Sequence, residues 1–431
     1  LHEASSGVDG LSNGRRWPFG PMWASWQDRV RGEVVAVLLS RLVSMAAGVV
    51  FVLLTARHLG PAGRGEITLA FTLAWGTTSL ANLGTPTSGR IRLLNSDNSI
   101  GVNDVLSLTL VLIPLQIVLS ATSVLAISQT SINLDWRFSL IVVALSVATM
   151  TFSSVVMVMY GLRRYRTVLV AELSVALVEV SVITGLLVSG RLTTVTAVAT
   201  MTLGLAVGAI GMVRWLGVPH RSKNNAVAGK WRMLIAEGLS PLIGAVSHFL
   251  ALRLGRLVLA VTVGAHSLGL LTVALAIPEA LRVLPKAFGQ VLADRGRSGI
   301  DSVRIAHRHI RLFLLGYGMV LLAALVVGSF LIPVVFGQGF RAAREVFAVV
   351  MAAEFLFGIH LARHALLVGF GRIVSIGVPQ AVGAVVMVVL VLVMIPAWGI
   401  QGAAWASLLG YAALAGTSTV WTNRELRRIE A

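Results

Sequence analysis

The stretch Leu53–Leu73, LLTARHLGPAGRGEITLAFTL, decides the reading of the whole chain. A long apolar run ends at Arg57-His58, the chain turns through Leu59-Gly60-Pro61-Ala62-Gly63, and a second apolar run begins at Ile67. Adjacent Gly and Pro mark a tight turn, so the segment reads as two membrane-spanning helices joined by a short hairpin loop. The design returns in the second half. Gly60, Gly65, Thr68 and Ala70 are matched by Gly264, Gly269, Thr272 and Ala274, each 204 residues later (264 − 60, 269 − 65, 272 − 68, 274 − 70). Both copies lie where one apolar run gives way to the next, which predicts an internal duplication. In duplicated helical membrane proteins the ligand site lies between the repeats.

Composition agrees with that placement. Of 431 residues, 56% are hydrophobic and 12% charged, with a mean hydropathy of +0.85. A soluble domain carries about 25% charged residues, so an integral membrane protein is expected. There is no cysteine, hence neither a disulfide nor a thiolate metal centre. The net charge of +17 does not point to nucleic acid. The cations sit in short clusters between apolar runs, the distribution that positive-inside sorting produces. Lys223, Lys230 and Lys286 are the only lysines, so arginine supplies 32 of the 35 basic residues (35 − 3), a bias that points to a GC-rich bacterial genome.

About 20 apolar residues span a ~30 Å hydrocarbon core. By that ruler twelve runs are predicted: 34–57, 66–88, 104–127, 138–161, 166–189, 193–216, 233–263, 266–292, 309–332, 345–368, 372–395 and 399–421. Residues 1–32 hold no apolar core of signal-peptide length. They read as a cytoplasmic tail ending in an interfacial turn around Trp17, Trp23 and Trp26. A six-helix lobe (33–217), a cytoplasmic linker (218–232), a second six-helix lobe (233–421) and a cytoplasmic tail (422–431) follow. Arg90, Arg92, Arg163, Arg164, Arg166, the basic residues of 214–232 and 295–311, Arg372, Arg424, Arg427 and Arg428 fall on one side. The other side has only Arg57, Arg64, Arg137, Arg191, Arg341 and Arg344. The arginine-rich side is predicted to be the cytoplasm, with both termini inside. The fold class predicted is an all-α integral membrane protein, with about twelve transmembrane helices in two pseudo-symmetric six-helix lobes around a central cavity.

With these elements in place, LTARHLGPAGRGE after the first helix resembles the polysaccharide flippases of the multidrug/oligosaccharidyl-lipid/polysaccharide exporter superfamily. So do Pro278-Glu279-Ala280-Leu281-Arg282-Val283-Leu284-Pro285, Phe336-Gly337-Gln338-Gly339-Phe340 and Gly399-Ile400-Gln401-Gly402-Ala403-Ala404. These are turn and packing signals, which specify a fold more closely than a substrate. The resemblance implies a flippase that carries undecaprenyl-diphosphate-linked oligosaccharides across the bacterial cytoplasmic membrane by alternating access. It implies no cofactor, no ATP site and no catalytic residue; no Gly-x4-Gly-Lys-[Ser/Thr] loop occurs in the chain. The partners implied are an anionic lipid-linked glycan and membrane lipid, for a monomer working near glycan-assembly enzymes.

Charges inside a bilayer face a cavity or a partner, which selects the candidate site residues. Arg253 and Arg256 are three apart on the seventh run, and two guanidinium forks on one face suit a diphosphate; pairing with carboxylates of neighbouring helices is the plainer reading. Arg41 enters as a cavity cation through the resemblance, against snorkelling to the headgroups. On the eighth run Glu279, Arg282 and Lys286 form an i, i+3, i+7 stripe flanked by Pro278 and Pro285. That run is expected to kink, with Glu279 and Arg282 either neutralising one another or serving the substrate. Glu172 and Glu179, seven apart on the fifth run, are candidate ion-coupling carboxylates alongside Glu279, or partners for a cavity arginine. His360, Arg363 and His364 are expected to be interfacial anchors, since the two histidines lack a third metal ligand at matching spacing.

Two other functions compete. A drug or metabolite antiporter of the same superfamily would need an acidic cavity for cationic drugs, whereas the charges here are mostly arginine. A membrane-embedded glycosyl polymerase or ligase needs a sizeable outer loop with catalytic residues. The longest outer loop, around Gln129–Arg137, has Asp135 as its one carboxylate.

Overall fold

The computed structural model describes residues 20–95, 100–130, 134–217, 227–296, 301–369 and 373–430. Among them there is no strand. The helices are α1 (Gly20–Ala81), α2 (Thr85–Leu94), α3 (Val102–Ser128), α4 (Trp136–Gly161), α5 (Tyr165–Val188) and α6 (Thr194–Leu216) in the first half. The second half has α7 (Val227–Val263), α8 (Ala265–Leu281), α9 (Val283–Gly296), α10 (Asp301–Val335), α11 (Ala343–Gly369) and α12 (Ile373–Glu430).

Ten helical spans among the described residues, α8 and α9 together counting as one, are long and apolar enough to cross a membrane. Two of them fold back on themselves, giving twelve passes. In α1 the reversal is at Gly60, whose φ of 68° and ψ of −173° only glycine adopts without strain. Residues nine apart in a straight helix are about 13 Å apart, yet Arg64 Nη1 lies 3.4 Å from Thr55 Oγ1. In α12 the break is at Gly399. Beyond it Gly383 packs against Leu414 and Gly410 against Met387, an antiparallel pairing.

The duplication shows in the backbone. Gly264 repeats the conformation of Gly60, with φ 109° and ψ 170°. The second arm of α1 then crosses α8 at a point of close approach. A Cβ on Gly65 would lie 1.7 Å from the Ala265 carbonyl oxygen, and one on Gly269 would lie 1.8 Å from the Pro61 carbonyl oxygen. These two contacts interchange under the 204-residue offset. Thr272 Oγ1 donates to Thr68 Oγ1 at 3.1 Å, a pair itself 204 residues apart. The crossing marks the pseudo-twofold axis. Each half has its own core: Phe51, Ile67, Leu145 and Val198 belong to one, and Phe347, Phe357, Met387 and Ile395 to the other.

At the arginine-rich end the halves meet again, through α2 and α3 on one side and α7 on the other. Ser88 Oγ donates to the Leu234 carbonyl at 2.9 Å, Lys230 pairs with Asp104 at 2.9 Å, and Arg92 pairs with Glu237. Several local expectations are corrected. Arg90 and Arg92 are helical rather than in a loop: the chain turns at Gly84, whose φ is 71° and whose N–H donates to Asn82 Oδ1 at 2.9 Å, and resumes at once as α2. The eighth run, expected to kink, is divided into two helices that meet at Arg282 between the prolines. The segment 422–430 is helical, as the end of α12. The linker residues 218–226 and tail residues 1–19 lie outside the described residues.

Candidate substrate cavity

A cavity of about 180 Å³ lies on the pseudo-twofold axis, between the contacts at either end. The second arm of α1 lines it with Arg64, Thr68, Phe71 and Trp75, and the first arm with Val52. From the other half come Arg253 and Arg256 on α7, and Thr272, Ala276 and Glu279 on α8. The spacings 64, 68, 71, 75 and 272, 276, 279 are single helix faces, so each helix turns one stripe towards the axis.

Three guanidiniums and one carboxylate leave this cavity two positive charges in excess (3 − 1). Arg256 is 5% exposed and forms an ion pair with Glu279. Arg64 is 6% exposed, rests 5.9 Å from the Phe51 ring centroid and donates to Thr55. Among the described residues, Nε of both Arg64 and Arg256 is buried without a hydrogen-bond partner. Buried guanidinium N–H groups of this kind are costly unless an acceptor meets them.

The other site residues of the sequence reading fall elsewhere. Arg282 does not line this cavity and does not pair with Glu279. It stands at the C-terminus of α8, with its side chain in the core of the second half. Its Nε donates to Glu354 Oε1 at 2.8 Å and its Nη2 to Oε2 at 2.6 Å. The guanidinium sits 4.6 Å over the Phe357 ring. Glu172 and Glu179 are both buried on α5, away from the axis; Glu179 packs against Gly204 of α6. Arg41 lies in α1, with its side chain outside the described residues. His360 is a core histidine rather than an anchor. It is 4% exposed, with Nδ1 2.7 Å from Ser418 Oγ.

Two residues escaped the sequence reading. Arg64, assigned to the outer loop beside the Gly-Pro turn, belongs by its spacing to the Thr68, Phe71, Trp75 face. Glu354 is a lone carboxylate in the apolar run VFAVVMAAEFLFGIH, and such a carboxylate calls for a buried partner.

No protein-family model matches the sequence, and no curated protein matches it. Solved structures do. The lipid II flippase MurJ, in an inward closed conformation, superposes with a TM-score of 0.71 at 10% identity, over 92% of this chain and 89% of that one. An inward-facing MATE family multidrug resistance transporter of the MOP superfamily superposes with a TM-score of 0.65 at 12% identity, over 91% and 99%. A MOP superfamily transporter from Pyrococcus furiosus, described by a reversed polarity of its binding pocket, gives 0.56 at 12%, over 92% and 95%. The chain has the all-α fold shared by these transporters.

Proposed function

We propose that the protein is a transporter of the MOP superfamily that flips an anionic, diphosphate-linked lipid oligosaccharide across a bacterial cytoplasmic membrane by alternating access. The observation that carries this reading is the excess of guanidinium over carboxylate in a cavity between the halves, with buried N–H groups still free to donate. A diphosphate supplies acceptors on both sides of the axis. Arg64 would approach it from the first half and Arg253 and Arg256 from the second. Head-group binding would then draw the two lobes, residues 33–217 and 233–421, onto one ligand. The aromatic wall of Phe71 and Trp75 offers a surface for sugar rings, and the lipid tail stays in the bilayer. With the arginine-rich end in the cytoplasm, the α2–α7 contacts form an inner closure that opens for loading.

Undecaprenyl diphosphate and ethidium, offered to the purified full chain in native mass spectrometry, test the reading. The diphosphate is expected to bind and the cation not. A hydrogen bond to a charged group contributes about 1.5–3 kcal/mol, so Arg64→Ala and Arg253→Ala should each weaken diphosphate binding about 10- to 150-fold. Lysine at Arg253 should restore only part, because the fork is lost. Ethidium binding, or undiminished diphosphate binding by both alanine variants, points instead to an antiporter of small molecules. Glu172 and Glu179 are proposed to couple transport to protons. Glutamine at either position should abolish the pH-gradient dependence of transport in proteoliposomes while binding persists; unchanged dependence rejects the coupling role.

A further inference from the structure

A second, larger hollow lies away from the axis. Between α5 and α6 is a groove of about 620 Å³, lined by Arg166, Val170 and Ser174 on one helix and by Val207, Gly211, Met212, Arg214 and Trp215 on the other, among others. That volume lies in the range of about 300–1,000 Å³ typical of ligand sites. The two helices touch where a Cβ on Gly208 would come within 2.7 Å of Val175, and Val168, Ala171 and Met212 share one buried cluster nearer the arginine-rich end. Gly211 leaves a gap in the groove wall: a Cβ there would meet nothing within 4 Å. No residue of α1, α7 or α8 lines the groove, so it is separate from the central cavity.

Its charge is confined to one end. Arg166 stands in the first turn of α5 and Arg214 in the last turn of the antiparallel α6, so both lie at one membrane face. Trp215 is there too, with the Arg164 guanidinium 5.9 Å from its ring. From Arg166 to Ser174 the groove reaches about 12 Å along the helix, past Val170, Ala171 and Met212. Walls apolar along their depth and cationic at the mouth complement an amphiphile with an anionic head. Guanidinium forks fit phosphate oxygens, and tryptophan favours the headgroup level.

We propose that this groove binds an anionic glycerophospholipid of the surrounding leaflet, with its phosphate between Arg166 and Arg214 and an acyl chain along the Gly211 face. The lipid acts as a wedge that holds α5 against α6. Arg166, Gly211 and Arg214 are all exposed in the protein, so they can be changed without opening the core.

Native mass spectrometry of the full chain, with phosphatidylglycerol or phosphatidylcholine of matched acyl chains, tests the proposal. One phosphatidylglycerol should be retained per protein, in clear preference to phosphatidylcholine. Arg166→Gln with Arg214→Gln should weaken phosphatidylglycerol retention about 30-fold, the equivalent of about 2 kcal/mol for two cations at a membrane surface. Gly211→Leu should fill the groove and abolish retention. If that variant melts early by circular dichroism, Val207→Trp replaces it, since Val207 lies on the exposed wall of the same groove. Equal retention of the two lipids, or full retention by both the rim and the filling variants, overturns the site. So does one-for-one displacement of phosphatidylglycerol by undecaprenyl diphosphate, which would assign the groove to the transported lipid.

Discussion

The two halves of the molecule present different chemistry to one cavity. Positions 204 residues apart line it in pairs: Thr68 with Thr272, Val52 with Arg256, and Trp75 with Glu279. Only the threonines agree. The first half offers an aliphatic and an aromatic side chain where the second offers an ion pair. The contrast continues in the cores. Thr78, the counterpart of Arg282 by the same offset, donates to the Ser146 carbonyl on α4 at 3.3 Å, whereas Arg282 closes a bidentate pair with Glu354 on α11. Equivalent helices are thus tied by a neutral hydroxyl in one half and by two charges in the other. Duplication preserved what the backbone requires, at Gly60 and Gly264 and at the crossing. The side chains around the axis diverged: of the four charged residues that line the cavity, Arg64 comes from the first half and Arg253, Arg256 and Glu279 from the second.

The largest effect should come from breaking the charged tie. Glu354 is 1% exposed, and removing one partner of a buried pair costs about 3–5 kcal/mol because the other charge is left uncompensated. Glu354→Ala should therefore lower the thermal unfolding temperature sharply. Thr78→Val should cost about 1 kcal/mol, the usual value for a neutral hydrogen bond. Replacing both partners, Arg282→Met with Glu354→Leu, should recover most of the loss. Equal melting losses for Glu354→Ala and Thr78→Val would remove the distinction between the cores.

Next is the crossing itself, where the halves should respond alike. A methyl group at Gly65 or Gly269 meets a carbonyl oxygen well inside contact distance, and overpacking of this kind costs about 1–3 kcal/mol. Gly65→Ala and Gly269→Ala should destabilise by similar amounts at the upper end of that range, since the two contacts interchange about the axis. A clear inequality in their melting temperatures would mean that the crossing is not symmetric in energy.

How much of this was legible in the sequence follows from what each feature depends on. Turns announce themselves locally, so Gly60 and Gly264 were readable, as were the twelve apolar runs and the glycines of the crossing. Arg253 and Arg256 stood out because charge is rare in an apolar run. Partnership was not legible, because it depends on which helices pack beside each charge. The stripe Glu279, Arg282, Lys286 showed a shared face and an expected kink, but not which neighbours that face meets. Glu279 pairs with Arg256 on α7 and Arg282 with Glu354 on α11, two partners on different helices. Arg64 was hidden for the opposite reason. Its position beside a Gly-Pro turn resembles a loop, but the helix restarts at once and carries it inward.

The asymmetry of the cavity can be moved across the axis. Arg256→Ala should weaken undecaprenyl diphosphate binding by about 1.5–3 kcal/mol, the value of a charged hydrogen bond. Val52 occupies the related position and lines the same cavity. Val52→Arg added to Arg256→Ala should therefore restore part of the affinity in native mass spectrometry, by placing a guanidinium at the mirrored site. No recovery, in a variant whose melting temperature is normal, would show that the two positions are not equivalent towards the ligand.

The smallest effect is expected where the halves agree. Thr68 Oγ1 accepts from Thr272 Oγ1 at 3.1 Å, and each hydroxyl also has a carbonyl one turn back, Arg64 at 3.0 Å and Leu268 at 2.7 Å. Both side chains are buried. Thr68→Val or Thr272→Val alone removes one end of the shared bond, at about 1 kcal/mol. Valine keeps the shape, and replacing both partners by isosteric apolar groups is nearly neutral. The double variant should thus cost less than the sum of the two singles. The coupling in the double-mutant cycle reports the hydroxyl pair directly, since the carbonyls behind each threonine are lost once in each single and cancel. Strict additivity would mean that the axial hydrogen bond contributes nothing, and that the crossing is held by backbone contact at the glycines alone.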